Sequence, residues 1–224
     1  MRNRILPLLF LSLSATTPAW AIPESVLTTP AGGAQNDEDR SKQDYNDGLA
    51  LAEKGDQSIS TADAASDDAA RGLALESAHA HYEAARQKFQ DAAKLNPGLP
   101  GAWNMIGYTE RRLGNHDAAL AAYERALALN PNYAQAIEYR AEAYLGLNRI
   151  EDAKQAYLDL FASNRALSDQ LLAAMQKWVS THRKSPGNVA GATVKELDRW
   201  VQERGKIAAK TASLTRAGAA ASWQ

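Results

Sequence analysis

The sequence predicts an all-α stack of helical hairpins, and three observations point there. Residues recur at an offset of 34: Leu113 with Leu147, Ala119 with Ala153, Tyr123 with Tyr157, and backwards Ala119 with Ala85, Ala126 with Ala92 and Asn130-Pro131 with Asn96-Pro97. A fixed period of this length marks an architecture in which each copy buries its apolar face against the next. Apolar residues inside the best-formed copy fall at i, i+3 and i+4, one helix face, and alternating apolar runs that would argue for strands are scarce. Glycine or Asn-Pro breaks separate the periodic segments.

At the start of the chain, Arg2 and Arg4 precede the apolar stretch Ile5–Leu13, interrupted only by Ser12. Ala19-Trp20-Ala21 then supplies small residues at the two positions read by a signal peptidase. Met1–Ala21 is therefore read as a secretory signal cleaved after Ala21, because its apolar stretch falls well short of the roughly 20 residues that cross a bilayer. No later stretch is long and apolar enough to span, so the mature protein is expected to be exported without stable membrane insertion. The bacterial periplasm is the expected compartment; eukaryotic secretion is the alternative, less usual for a cysteine-free domain. Residues 22–40 lack periodicity and are expected to be a mobile segment, as is the tail 210–224.

The repeats are expected over residues 41–164, and the first copy is split. Gly48, Leu51 and Gly55 read as the end of a first helix and its turn, whereas Ala85, Phe89, Ala92 and Pro97 belong to a second helix. An insert of about 25 residues, 56–80, separates them. Ser60-Thr61-Ala62-Asp63 looks like a helix N-cap, so the insert is expected to lengthen the second helix at its start, with Gly72 as a weak point and Asp56–Ser60 as an exposed break.

The middle copy places Trp103, Ile106 and Gly107 on one face, the glycine admitting a neighbouring helix and Trp103 filling the core. Gly114-Asn115 is its turn, and Ala119, Tyr123 and Ala126 share a face of the second helix. Asn130-Pro131 ends that helix, because proline disfavours a helical residue before it and donates no backbone bond. The third copy keeps Ala141, Tyr144, Ala153, Tyr157 and Leu160. Beyond it, Leu171, Leu172, Met175 and Val179 recur at helical spacing, and Ser185-Pro186-Gly187-Asn188 breaks the chain. Thr193-x-x-Glu196 reads as a capping box opening a further helix with Leu197, Trp200 and Val201 on one face. Residues 165–209 are thus expected to cap the open end of the stack, whose last apolar face would otherwise meet water.

These motifs resemble the tetratricopeptide repeat family, whose 34-residue helix–turn–helix unit is matched best by Trp103-x-x-Ile106-Gly107, Gly114, Ala119-x-x-x-Tyr123-x-x-Ala126 and Pro131. The chain departs at Glu110, where the family usually carries a large apolar residue and the slot is expected to be shallow or exposed. It departs also at Arg140, where an apolar residue is usual, and at Arg165, where proline is common. The resemblance implies a solenoid of about three repeats whose first helices line a concave groove holding a peptide or an extended protein segment. Its lining would be the residues opposite the packing stripe: Asn104, Tyr108 and Arg111 on the middle copy, Glu138, Glu142 and Leu145 on the next, and Tyr45, Leu49 and Ala52 on the split one. Asn104 can donate and accept with a peptide backbone, Tyr108 offers a flat face with a polar tip, and Arg111 can hold a carboxylate bidentately. A plain solvated helix face would also be polar, and the opposite signs of Arg111 and Glu142 leave the ligand's charge open.

Composition narrows the function classes. With 45% hydrophobic and 23% charged residues the chain is globular in character, and its lack of cysteine excludes disulfides, thiolate-bound metal and a cysteine nucleophile. Cleavage after Ala21 leaves 23 basic and 26 acidic residues, which gives no broad basic field for nucleic acid. The charge is uneven: Asn36–Asp68 holds ten acids and three bases, Gln176–Arg216 nine bases and three acids. No nucleophile elbow, metalloprotease helix, phosphate loop or dinucleotide fingerprint occurs. His79 and His81 stand two apart on a helix and so point about 200° apart, unable to share an ion. No catalytic residue, cofactor or metal is expected. The leading reading is a non-catalytic adaptor or scaffold of the cell envelope with a protein partner. The alternative is an accessory subunit or weak enzyme using the insert and the C-terminal helices.

Overall fold

The computed structural model describes residues 31–221. They form α1 (Ala31–Ala64), α2 (Asp68–Leu95), α3 (Pro100–Arg112), α4 (His116–Leu129), α5 (Ala134–Gly146), α6 (Ile150–Ser163), α7 (Arg165–Lys184) and α8 (Gly191–Ala221). No strand occurs among the described residues, so the fold is the all-helical solenoid expected. Of two compact units, Met1–Asn36 and Asp37–Gln224, only the helical residues 31–36 of the first are described. The signal segment 1–21, its cleavage point and residues 22–30 lie outside the described residues, as do 222–224.

The hairpin α3/α4 is the pattern for the others. Its helices pack so closely that a Cβ on Gly107 would lie 2.5 Å from the Tyr123 ring, which explains why glycine faces an aromatic at this point. The same contact recurs in the first copy, where a Cβ on Gly48 would lie 2.6 Å from Phe89. In the third copy the corresponding pair is Ala141 and Tyr157, both fully buried.

The insert departs from expectation. The chain does not break at Asp56–Ser60: α1 continues to Ala64, and the turn falls at Ala65–Asp67. Seven residues after Gly48 and seven before Phe89, Gly55 faces Tyr82, with a Cβ again 2.6 Å from the ring. Antiparallel helices repeat a contact by moving in opposite directions along the two chains, so the insert lengthens both arms of one hairpin. Ser60 and Thr61 do not cap a helix; their hydroxyls donate to the carbonyls of Asp56 and Gln57 inside α1, at 3.1 and 3.0 Å. The N-cap of α2 is Asp67, whose carboxylate accepts from the Ala70 amide at 2.8 Å. Gly72 lies within unbroken α2.

Helix ends follow the 34-residue register. Asn96, Asn130 and Asn164 all act as C-caps, each amide donating to the carbonyl four residues earlier. Arg165 replaces the proline found after the other two, and Asn164 therefore also N-caps α7, accepting from the Leu167 amide at 3.2 Å. Gly114 and Asn148, 34 residues apart, take positive φ of 84° and 58°, the left-handed turn that glycine and asparagine tolerate best.

Other departures concern single slots. Trp103 is only partly buried; its indole N–H donates to the Pro97 carbonyl at 2.9 Å and its ring lies beneath Arg125. Glu110 is 9% exposed rather than on the surface, because Arg86 and Asn115 donate to its carboxylate at 3.4 and 2.8 Å. Arg140 and Arg165 fill their slots by laying guanidinium groups against Tyr144 and Phe161, at 5.7 and 4.0 Å from the ring centroids. At the C-terminal end Leu171, Met175, Leu197 and Val201 are buried, and Trp200 meets Tyr157 edge-on at 5.2 Å. There α8 begins before Thr193, so Thr193-x-x-Glu196 lies inside the helix, and Glu196 reaches across to Lys154 at 3.3 Å. Helix α1 opens at Ala31 and α8 continues to Ala221, so each runs into one of the terminal segments, 22–40 and 210–224, read from the sequence as mobile.

Candidate functional site

The first helices of successive hairpins, α3 and α5, lie side by side, and α7 continues the row beside α5. The residues facing away from the Gly107 and Ala141 packing stripes therefore gather on one face. The structure brings Tyr108, Arg111, Glu138 and Glu142 together there, but not as an open polar surface. Arg111 forms an ion pair with Glu142 and lies against the Tyr108 and Tyr139 rings, 5.5 and 5.4 Å from their centroids. Glu138 is 2% exposed, accepts from Gln135 at 3.1 Å, and its carboxyl is pushed up to about 8 by burial and by the neighbouring Glu142.

Asn104 is 1% exposed, and its Oδ1 has no hydrogen-bond partner. Tyr108 is turned to the insert: its hydroxyl donates to the Asp56 carboxylate, 2.5 and 2.6 Å from the two oxygens. Tyr45 stands apart, half-buried on Phe89 at 5.7 Å between centroids. Leu49 remains exposed, whereas Ala52 and Leu145 are buried. Five of the expected lining residues, Asn104, Tyr108, Glu138, Ala52 and Leu145, are thus enclosed rather than open to solvent.

Sequence reasoning missed Asp56. Its carboxylate also accepts from Tyr82 at 2.6 Å and from Arg112 at 2.9 Å, while the Arg112 guanidinium reaches the Tyr82 oxygen at 2.8 Å. Four residues from α1, α2 and α3 meet at this point. Burial and the bond to Asp56 push the Tyr82 hydroxyl up to about 12 and the Tyr108 hydroxyl higher still, so both remain donors at neutral pH.

A cleft of about 310 Å³ opens beside this cluster, lined from α3 by Arg111 and Arg112, from α5 by Glu142, and from α7 by Lys177, Trp178 and His182. Trp178 is held in place by a bond from its indole N–H to the Leu145 carbonyl at 2.9 Å, and its ring stacks on His182 at 4.0 Å. The register contained a signal for it: Trp178 follows Tyr144 by 34 residues, and both are buried aromatics. A separate, largely apolar hollow of about 340 Å³ lies between α2 and α3, walled by Ala93, Pro97, Trp103 and Ile106.

Helical hairpins repeating at this spacing, with their first helices aligned into one face, define a helical-repeat solenoid. Comparison with known proteins agrees: residues 100–133, which contain α3, its turn and α4, match the tetratricopeptide repeat family. The chain is 34% identical over 77 residues to the PEX5-related protein of Rattus norvegicus, a match covering 34% of this chain and 13% of that protein. It is 32% identical over 77 residues to the uncharacterized protein ycf37 of Guillardia theta, covering 33% of this chain and 43% of that one. The chain thus spans less than half the length of these relatives.

Proposed function

We propose that the protein is a non-catalytic interaction scaffold of the bacterial cell envelope, exported to the periplasm, which holds an extended segment of a partner protein against the α3/α5/α7 face. One observation carries this reading: the three helices align and open a cleft of about 310 Å³ that draws lining side chains from each of them. Clefts of this size accept one or two side chains of a bound peptide, not a folded domain. The match to the tetratricopeptide repeat supports an interaction role for the fold. Export rests on Arg2, Arg4, the apolar Ile5–Leu13 stretch and Ala19-Trp20-Ala21.

Two measurements test it. N-terminal sequencing of protein recovered from a periplasmic fraction should begin at Ile22. Peptide display against the mature chain should enrich a short motif, and substitution at the cleft should abolish capture of that motif. A cytoplasmic protein retaining Met1, or a display that enriches nothing, would refute the corresponding half.

A further inference from the structure

We infer that the protein associates head to tail, the lengthened α1/α2 hairpin of one copy docking on α8 of a second. This contact is separate from the α3/α5/α7 cleft, and neither depends on the other.

The hairpin projects past its neighbour. Helix α2 packs on α3, and α3 ends at Arg112, whose guanidinium reaches Asp56 and Tyr82. Beyond that level α1 runs on from Asp56 to Ala64 and α2 comes back from Asp68 to Tyr82. At 1.5 Å per residue the overhang is about 12–20 Å. Ala62, Ala74 and Ala78 are buried and close the two arms on each other, whereas Leu73 is 69% and Leu75 46% exposed. These are the two most exposed large apolar side chains among the described residues, and Ile207 on α8 is the third, at 42%. Covering such side chains favours association.

Charge selects α8 as the surface that covers the arm. Residues 53–83 hold seven acids and two bases, whereas 176–211 hold eight bases and three acids. On the arm, Asp63 and Glu76 are exposed and have no ion-pair partner among the described residues, and Glu76 stands one turn from Leu73. On α8, Lys195, Arg199 and Lys206 share an exposed face opposite the buried Val194, Leu197 and Val201, and they too lack ion-pair partners among the described residues. Glu196 and Asp198 are taken by Lys154 and Arg183, so the face stays cationic, with Ile207 at its edge. Each surface thus offers an apolar anchor among charges of one sign, and the signs are opposite. With 23 bases and 26 acids after signal cleavage, overall repulsion between copies is small.

The two surfaces are different patches at opposite ends of the helix row, so the contact leaves one of each unused on any pair and further copies can add. Sedimentation velocity of the mature chain over about 10–500 μM should show oligomers that grow with concentration, weakened about tenfold when salt rises from about 0.05 to 0.5 M. Leu73→Ser and Ile207→Ser should each weaken association about tenfold or more, with melting curves unchanged because both positions are exposed. Lys206→Glu should act in the same direction. A Leu73→Ser copy keeps a working α8 and an Ile207→Ser copy a working arm, so an equimolar mixture should form one-to-one pairs that grow no further.

A monomer at every concentration, or oligomers indifferent to both serine variants, would overturn the inference. So would closed dimers lost in Leu73→Ser but untouched by Ile207→Ser, since two arms would then pair with each other. Binding to phosphatidylglycerol vesicles that is weakened by Lys206→Glu, without self-association, would assign α8 to an anionic surface and overturn it as well.

Discussion

Replacing Asp56 by alanine should destabilise the fold more than its half-exposed position suggests. The carboxylate accepts from Tyr82, Tyr108 and Arg112, which belong to α2 and α3, so a single side chain on α1 joins the extended hairpin to the middle repeat. Tyr82 is 1% exposed and Tyr108 8%, and neither hydroxyl can turn fully to water when its acceptor is removed. An unsatisfied buried donor costs about 1–3 kcal/mol. The Arg112 pair sits at the rim, with side-chain exposures of 27% and 47%, and adds less than about 1 kcal/mol after solvent screening. Water entering from the Asp56 side recovers part of the loss, so the expected destabilisation is about 2–4 kcal/mol. Urea denaturation followed by far-ultraviolet circular dichroism measures it, provided the slope of the transition is unchanged. Tyr108→Phe should lose much less once Asp56 is already alanine, with a coupling of about 1 kcal/mol or more in the double-mutant cycle. A loss under about 0.5 kcal/mol and additive behaviour would show that the insert hangs free of the repeats.

Glu138 should make stability fall with rising pH. Its carboxyl is raised from 4.5 to about 8, so its contribution is fully present below pH 4.5 and is lost as the pH climbs through about 8. Glu138→Gln should flatten that part of the pH profile, and identical wild-type and variant profiles would contradict the buried carboxyl. Two glycine-to-alanine substitutions should act in opposite directions in thermal melts. Gly55→Ala must push against Tyr82 and should cost about 1–3 kcal/mol, whereas Gly72→Ala has no atom within 4 Å and should gain about 0.5–1 kcal/mol. The same sign at both sites would reject the paired-heptad packing of the insert. Because Trp103 is only partly buried, Trp103→Ala should cost about 1–2 kcal/mol; a loss above about 3 kcal/mol would restore it to the core.

Periodicity made the repeat legible. Ala119, Tyr123, Ala126, Tyr157 and Leu160 are each fully buried, as a stripe recurring every 34 residues requires when copies stack. The Asn96 and Asn130 caps and the Gly114 turn were also readable, because they depend on backbone chemistry within a few residues of chain. The insert was not readable in this way. Its hydroxyl-rich Ser60-Thr61 segment has the composition of a cap, and local propensity cannot distinguish that from hydroxyls folded back onto their own helix. What decided the matter was the Gly55–Tyr82 contact, available only once Gly48 had met Phe89.

The candidate site divides along the same line. The sequence by itself determined which residues lie opposite the packing stripe, since helical spacing places Asn104, Tyr108 and Arg111 on one face whatever surrounds them. Whether that face is open depends on groups far away in the chain: Asp56, 52 residues before Tyr108, turns the tyrosine inward, and Glu142 on the next repeat holds Arg111. Trp178, from a helix the repeat register only touches, supplies the wall of the open cleft. Burial, ion pairing and an accessible cavity are properties of what packs above a surface, and a helix's own spacing contains no information about its neighbour. The tertiary structure alone decided them.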